Sequence, residues 1–280
     1  MKETKSAWRT DPEALQAFSA YAAAYDPADP KIRLKIDHTY RVADLCRTIA
    51  RARGWRSADV HLAWLCGLLH DIGRFEQVRR WGTFNDSRSI SHAALGAQIL
   101  FGGSGTPGDT DAAGAPPRSG IIRRFAPDPS HDTLIKAAVA LHSNYRLPDD
   151  LDERTRGLCQ VVRDADKIDI LRVNCIESAQ AIYGVSEQQM RESPIAEQAL
   201  SGFAAHRTLR RTERTYPADF VIGHLCFAFE LAYPESLVIL RRQGYLNRLL
   251  RRPFNNAQTA AVFADLRRQM NAWLDSAAPH

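Results

Sequence analysis

Apolar residues recur at helical spacing along almost the whole chain, and this feature restricts the fold more than any other. One such stripe comprises Val42, Leu45, Cys46 and Ile49. Residues three or four positions apart lie on one face of an α-helix. No stretch of useful length alternates apolar and polar residues as a half-buried strand does. The sequence therefore predicts an all-α fold, and 45% hydrophobic residues are enough to build a core.

The same periodicity predicts the approximate positions of ten helices. They lie at 11–25, 36–53, 58–72, 90–101, 130–143, 152–182, 195–206, 216–231, 235–250 and 256–275. The segment 102–120, GGSGTPGDTDAAGAPPRSG, is rich in Gly, Pro and Ser and predicts a mobile surface loop between two core helices.

The overall composition excludes several classes of protein. No stretch approaches the roughly 18 apolar residues of a membrane span, and the first residues lack the profile of a secretory signal. We therefore expect a cytoplasmic protein with no membrane partner. The five cysteines form no CxxC pair, which argues against a disulfide framework or a zinc finger.

The stretch LAWLCGLLHDIGRFEQ (62–77) places His70 and Asp71 where an apolar helix runs into the core. Burying a carboxylate costs several kcal/mol unless a partner compensates its charge. Adjacent helical residues project about 100° apart, so both can converge on one ion only at the helix C-terminus. Gly73, which follows, is consistent with such an ending.

Other polar residues stand on predicted core helices and could meet this pair. They are His38 in KIDHTYRVADL, His92 in SISHAALGAQIL, His142 in IKAAVALH and Asp166 in VVRDADKIDIL. Gly96 and Ala97 allow close packing on the face of His92. Four imidazoles and two carboxylates suit borderline divalent ions such as iron, manganese, nickel or zinc. Asp164 could exchange roles with Asp166 if the helical register differs by two residues.

A second His-Asp dipeptide, His131-Asp132, tests how specific this signal is. It follows Pro129-Ser130 at a predicted helix start, where an aspartate favours the helix dipole and stays hydrated. We interpret this second dipeptide as structural.

The order H…HD…H…H…D resembles the HD-domain superfamily of metal-dependent phosphohydrolases, over roughly residues 35–172. The HDIGR stretch at 70–74, HAxxG at 92–96 and ADK at 165–167 carry the resemblance. It implies that His38, His70, Asp71 and Asp166 bind a first ion. In members with two ions, Asp71 would bridge them, and His92 and His142 would bind the second. Two cations about 3.5–4 Å apart would activate a bridging water and offset phosphoryl charge.

The resemblance also implies a function: a phosphatase or phosphodiesterase acting on a small phosphorylated substrate, a nucleotide or dinucleotide. We expect Asp71, Arg74 and Lys167 to be catalytic. Polar residues around the predicted metal ligands suit an anionic substrate, since arginine matches two phosphate oxygens. The predicted substrate contacts are Arg74, Arg79, Arg80, Asn85, Asn144, Arg146 and Lys167. One or two transition-metal ions are expected as cofactors, with magnesium as an alternative.

A single domain, 1–280, is predicted, with an HD metal-binding core at 30–185 and a helical extension packed on it at 186–280. Two other functions remain open: a di-iron oxygenase of the HD type and a non-catalytic metal- or nucleotide-binding regulatory module. Spacing suggests a basic helix face formed by Arg207, Arg210, Arg211 and Arg214. Because no recognition motif accompanies it, we expect a solvated face and no nucleic-acid partner.

The partners expected for the chain are a small phosphorylated substrate and a second copy of the chain, since a homodimer is compatible with the C-terminal extension.

Overall fold

The computed structural model describes residues 11–102 and 120–277. Every regular element in these two ranges is helical, which confirms the all-α prediction. The predicted mobile loop at 102–120 lies almost entirely outside the described residues. None of the described helices has the length and apolar character needed to cross a lipid bilayer. The five cysteines are free thiols.

The contacts of the chain fall into two compact units. Within the described residues, the first contains residues up to Asp44 and Ser57–Val162, and the second contains Leu45–Arg56 and the residues from Arg163 onward. The prediction of one domain with a core at 30–185 and an extension at 186–280 stays a prediction.

One helix of the first unit is buried in the core over most of its length. Two helices, α2 and α7, start in this unit and continue into the second. The bounds are α1 (Pro12–Ala22), α2 (Pro30–Ala52), α3 (Ser57–Leu69), α4 (Ile72–Trp81), α5 (His92–Phe101), α6 (Asp132–Leu141) and α7 (Glu153–Ile176). In α3 every residue from Leu62 to Leu69 is buried. Such a helix, apolar on all sides, is stable only inside a core.

The chain leaves α3 after Leu69 and enters α4 at Ile72, so His70 and Asp71 occupy the turn between two helices. The predicted helix end is therefore at the expected place, but Gly73 does not cap it. Gly73 lies inside α4, where a Cβ would stand 2.2 Å from the His92 backbone oxygen and 2.6 Å from the Gly96 nitrogen. The glycine permits α4 and α5 to approach each other closely.

The second unit contains mostly short helices and one long one, α14, packed around α11 and α13. They are α8 (Ala179–Tyr183), α9 (Glu187–Arg191), α10 (Glu197–Ala204), α11 (Pro217–Leu225), α12 (Pro234–Gln243), α13 (Tyr245–Leu250) and α14 (Ala257–Ala277). Their core includes Phe203, Leu225, Leu249, Phe263 and Met270.

The predicted basic helix face at 207–214 is not a helix face. The helix α10 ends at Ala204, and a short 3-10 turn occupies Arg211–Glu213. Arg207 pairs with Glu213 at 2.6 Å, and Arg214 donates to the Leu209 carbonyl at 2.8 Å. These arginines brace an irregular connection, because both find local acceptors there.

Candidate metal centre

Asp71 stands at the N-cap of α4, yet its side chain accepts no capping hydrogen bond. An aspartate at this position normally accepts from the first backbone N–H groups of its helix. Here the two carboxylate oxygens face different pairs of histidines. The side chain is only 3% exposed, so it lies in the interior of the first unit.

The first pair, His38 and His70, faces one oxygen of Asp71. His38 Nε2 lies 3.6 Å from Asp71 Oδ2, and His70 Nε2 lies 3.5 Å from the same atom. The two Nε2 atoms are 3.3 Å apart. His38 comes from α2 and His70 from the end of α3, so two separate elements supply this pair. The three residues offer ligand atoms within 4.8 Å of one another.

The second pair, His92 and His142, faces the other oxygen. His92 Nε2 lies 3.4 Å from Asp71 Oδ1, and His142 Nε2 lies 3.6 Å from it. His92 begins α5 and His142 follows α6, so the pair depends on the packing of α5 against α6. Asp71 therefore lies between two buried histidine pairs.

In three of the four histidines, Nδ1 contacts an oxygen outside the group of candidate ligand atoms, so that Nε2 is the nitrogen that faces Asp71. His70 Nδ1 contacts the Gly67 carbonyl at 2.7 Å, His142 Nδ1 the Val139 carbonyl at 2.8 Å, and His92 Nδ1 the Asp86 carboxylate at 2.7 Å. A carbonyl or carboxylate only accepts, so each Nδ1 carries a proton and each Nε2 is the ring nitrogen left to serve as a ligand.

The Nε2 atoms of His92 and His142 face each other at a distance of 3.0 Å. When both rings carry their single proton on Nδ1, these two acceptors repel unless a cation lies between or beside them. A proton is disfavoured, because burial, reinforced by the nearby guanidinium of Arg74, lowers the pKa of His92 to about 4. A divalent metal ion satisfies both nitrogens, since neutral imidazole is its common protein ligand.

Asp71 supports the same conclusion. Burial raises the pKa of its carboxyl group, but the ammonium group of Lys35, the neighbouring rings of His70 and His142, and Arg74 outweigh burial and hold that pKa well below its usual range. Oδ1 is buried and accepts no hydrogen bond from the described residues. An ionised carboxylate oxygen of this kind fits a metal ion, so the residues present match the expected cofactor.

Lys35 is a site residue that was not predicted from the sequence. Its Nζ lies 2.6 Å from Asp71 Oδ2 and 5.2 Å from the centre of the Phe84 ring. Lys35 precedes His38 by three positions in α2, so both lie on one helix face. That spacing in KIDH was the available signal, although only the fold brings this face to Asp71.

Arg74, predicted to be catalytic and to contact substrate, is held by a polar network beside Asp71. Its Nη1 donates to the Phe84 carbonyl at 2.6 Å, Gln77 Oε1 at 2.8 Å and Asp86 Oδ1 at 3.0 Å. Its Nε lies 3.5 Å from Asp71 Oδ1. Asp86 thus connects Arg74 to His92, and the hydrogen bond from His92 is the main reason that the pKa of Asp86 falls to about 2 despite partial burial, which raises it.

Arg79 and Arg80 lie on α4 and both bind Glu76. Arg79 donates two hydrogen bonds to the Glu76 carboxylate at 2.7 and 2.8 Å, and Arg80 donates another. Glu76 is buried, whereas Arg79 is half exposed. Both arginines therefore compensate the charge of the buried Glu76 carboxylate. Their contact with substrate stays a prediction.

Replacing Glu76 with glutamine should lower the free energy of unfolding by about 2 kcal/mol at pH 7, because two arginines lose their charged acceptor. Burial alone raises the pKa of Glu76, but the hydrogen bonds from Arg79 and Arg80 outweigh it and lower that pKa. A lowered pKa in the folded state stabilises above the unfolded value, about 4.3, and this stability disappears as the pH falls through the folded value. Urea denaturation of both proteins from pH 7 to pH 3 measures the difference.

Glu13→Gln is the matched control for this prediction. Glu13 is exposed in the first turn of α1, and its replacement should change the unfolding free energy by less than about 0.5 kcal/mol. A difference between wild type and Glu76→Gln that stays constant down to pH 3 would contradict the assignment.

The other predicted substrate contacts of the first unit lie in two connections. Asn85 caps the 3-10 turn Asp86–Arg88 by accepting from the Ser87 backbone N–H at 3.1 Å. Asn144 and Arg146 are exposed in the segment after His142. Their roles toward substrate stay predictions.

Asp166 and Lys167 lie on α7, a few residues beyond the start of the second unit at Arg163. The ligand role of Asp166 and the catalytic role of Lys167 stay predictions. Lys167 Nζ lies 3.3 Å from Glu230. Asp164 accepts hydrogen bonds from the backbone N–H groups of Ala232 and Tyr233 at 3.0 to 3.2 Å. Asp164 thus anchors the start of α12, which argues against its exchange with Asp166.

The second dipeptide, His131-Asp132, shows the arrangement expected of a structural pair. Asp132 lies in the first turn of α6 and forms an ion pair with Arg123, and both side chains are at least one third exposed. Asp71, by contrast, is buried among histidines. The His-Asp dipeptide therefore occurs twice in this chain, once at the surface and once in the interior of the first unit.

Comparison with known families identifies the domain that contains this centre. The family model described as HD domain matches residues 36–171. Residues 36–171 are an HD domain. The match starts two positions before His38 and ends five positions after Asp166, so it contains all six predicted ligands. No curated protein and no solved structure shows a significant match to the chain.

The HD domain is a helical fold whose members are mostly metal-dependent hydrolases. Its His/Asp cluster in this chain is suited to a divalent metal ion. The four histidines and Asp71 supply five of the six residues of the family pattern from the first unit alone. The identity of the ion and the reaction are questions of function.

Proposed function

We propose that this HD domain is a metal-dependent phosphohydrolase, a phosphatase or phosphodiesterase, that acts on a small phosphorylated substrate such as a nucleotide or dinucleotide. The observation that carries the proposal is the position of Asp71 between two histidine pairs, each facing one carboxylate oxygen. This division matches a centre for two ions that share one carboxylate.

His38, His70 and Asp71 Oδ2 would hold one ion, with Asp166 as the further ligand implied by the family pattern. His92, His142 and Asp71 Oδ1 would hold the second. Imidazole and carboxylate ligands together suit iron, manganese, nickel or zinc, with magnesium as an alternative. When bound, such ions lower the pKa of a coordinated water and offset charge on a phosphoryl oxygen.

The residues of the chain around this centre would orient the substrate. Arg74 is fixed by three acceptors and lies beside Asp71, so its guanidinium is oriented before substrate arrives. Lys35 adds a second positive charge on the side of Oδ2. Asn85, Asn144, Arg146, Arg79, Arg80 and Lys167 are proposed as further contacts. A phosphate group matches this charge, because arginine and lysine are its usual ligands.

A phosphate-release screen of the full chain tests the proposal. The purified protein, loaded separately with Mn²⁺, Fe²⁺, Ni²⁺, Zn²⁺ and Mg²⁺, should release phosphate or a nucleoside monophosphate from members of a panel of phosphomonoesters and phosphodiesters. Substrate-dependent oxygen uptake without phosphate release would favour the oxygenase alternative. Stoichiometric nucleotide binding without turnover with any of the ions would favour the regulatory alternative. Either result would overturn the proposal.

Replacing Asp86 with alanine should weaken binding at the second ion site by about 10- to 100-fold, because His92 loses the carboxylate that orients its ring. Asp86→Asn should have a smaller effect, since an amide oxygen still accepts from Nδ1. Competition with a chromogenic chelator measures both affinities. Asp37→Asn is the control, because Asp37 is adjacent to His38 but about half exposed. Equal affinities in Asp86→Ala and Asp37→Asn would contradict the orienting role.

A further inference from the structure

The second unit contains a cavity that the proposed hydrolase chemistry does not use. Its volume is about 730 Å³, within the range of small-molecule sites, roughly 300–1,000 Å³. The walls come from the C-terminal end of α7, from α9 and from α13 with the residues that follow it. None of the lining residues belongs to the predicted metal ligands or substrate contacts.

Positive charge dominates the cavity. Four arginines line it, Arg191, Arg248, Arg251 and Arg252, against two carboxylates, Glu177 and Glu187. Glu187 is fully engaged: one oxygen accepts from Arg252 at 2.8 Å and the other from the Ala179 backbone N–H at 2.8 Å. The lining therefore carries a net charge of about +2, which is the difference between the four arginines and the two glutamates.

Three of these arginines are available to a ligand. Arg191, Arg248 and Arg251 are exposed, and none forms an ion pair with a carboxylate of the described residues. They stand on two segments of the chain, α9 and α13 with the residues after it, and both segments line the same cavity. Three planar guanidinium groups around one concave site match the oxygens of a phosphate chain.

Backbone hydrogen bonds connect two of the segments that line the cavity. The backbone N–H groups of Asn255 and Asn256 donate to the Arg191 carbonyl at 2.8 and 3.2 Å, which ties α9 to the segment after α13. Asn174 and Leu249 are buried, so the lining reaches the core of the unit. Leu249 and Pro253 add apolar surface to the arginines. An organic group and a charged group could therefore occupy the same cavity.

We propose that this cavity is a second anion site that binds an organic polyphosphate, the chemical class of a nucleoside diphosphate. The size admits a nucleotide, the net charge matches a ligand with at least two negative charges, and the apolar lining accommodates its organic part. The site goes beyond the proposed hydrolysis, because it contains none of the proposed metal ligands and requires no turnover.

Isothermal titration of the full chain with ADP and with pyrophosphate, in buffer with EDTA, tests the site independently of hydrolysis. Wild type should bind ADP with 1:1 stoichiometry. Arg248→Gln and Arg251→Gln should each weaken binding by about 10-fold, and the combination of Arg191→Gln with Arg248→Gln by about 100-fold. Arg242→Gln is the matched control, because Arg242 is exposed on α12 outside the cavity, and it should change the affinity less than twofold.

Several results would overturn the proposal. They are the absence of ADP binding at millimolar concentration, equal affinities in all variants, an equal loss in Arg242→Gln, and tight binding of single-stranded RNA without binding of ADP. Thermal unfolding of each variant checks folding. If Arg248→Gln is unfolded, Arg251→Gln gives the answer, since its exposed side chain has no carboxylate partner among the described residues. His70→Ala should bind ADP as wild type does, which separates this site from the metal centre even if no hydrolysis is ever found.

Discussion

Asp71→Asn should reduce phosphate release by about 1,000-fold or more and remove bound metal from the HD domain. Asparagine keeps the size of aspartate but replaces one oxygen by an NH₂ group and loses the charge. One histidine pair would then face a hydrogen-bond donor where an ionic ligand is needed. Elemental analysis and a phosphate-release assay on the same samples measure both effects.

The chain contains its own control for this experiment. Asp132→Asn changes the second His-Asp dipeptide, whose aspartate forms a surface ion pair with Arg123. This variant should keep the metal content and the activity of wild type. If Asp71→Asn retained the metal content of wild type, or if Asp132→Asn lost as much activity, the assignment of Asp71 as the shared ligand would be wrong.

Gly73→Ala is expected to destabilise the first unit by about 3 kcal/mol and to displace His92 from the metal centre. The added Cβ would stand 2.2 Å from the His92 backbone oxygen and 2.6 Å from the Gly96 nitrogen. Both obstacles are backbone atoms, which cannot turn away as a side chain can. α4 and α5 must separate, and His92 moves with α5. Urea denaturation and a metal count measure the two consequences.

Alanine variants of two other glycines allow the stability cost of Gly73→Ala to be compared with smaller costs. Gly96→Ala meets its nearest atoms at 3.3 Å and should cost clearly less than Gly73→Ala. Gly82→Ala meets no atom within 4 Å but has a positive φ of 62°, so its cost of about 1 kcal/mol comes from backbone strain alone. It should retain bound metal. Equal stability of Gly73→Ala and Gly96→Ala would contradict the close approach of the two helices.

The all-α fold and the turn at His70-Asp71 could be predicted because helical periodicity and an abrupt polar pair are local signals. The meeting of His38, His70, His92 and His142 was inferred by family resemblance, and the fold brings these four side chains to Asp71. Their apolar surroundings were the physical clue, since an uncompensated polar group rarely stays buried.

Helix α4 was not predicted because half of its residues, IGRFEQVRRW, have charged or amide side chains. The helix forms because Phe75 and Val78 pack inward and because Glu76, although charged, is buried and compensated by Arg79 and Arg80. A hydrophobicity pattern does not reveal such compensation. Lys35 was missed for a related reason: its partner Asp71 is 36 positions away, and only tertiary packing joins them.

Two helices of the first unit end at the metal centre, since His70 follows α3 and His142 follows α6. The C-terminal end of a helix carries a partial negative charge, about half an electron, from its unpaired carbonyl groups. Both ends add to the negative charge of Asp71, whereas α4 and α5 begin at the same centre and bring their partially positive N-termini to it. The four helix ends thus offset one another. The positive charge that an anionic phosphoryl group would meet here therefore comes from the side chains of Lys35 and Arg74 and from the ions that the histidines would hold.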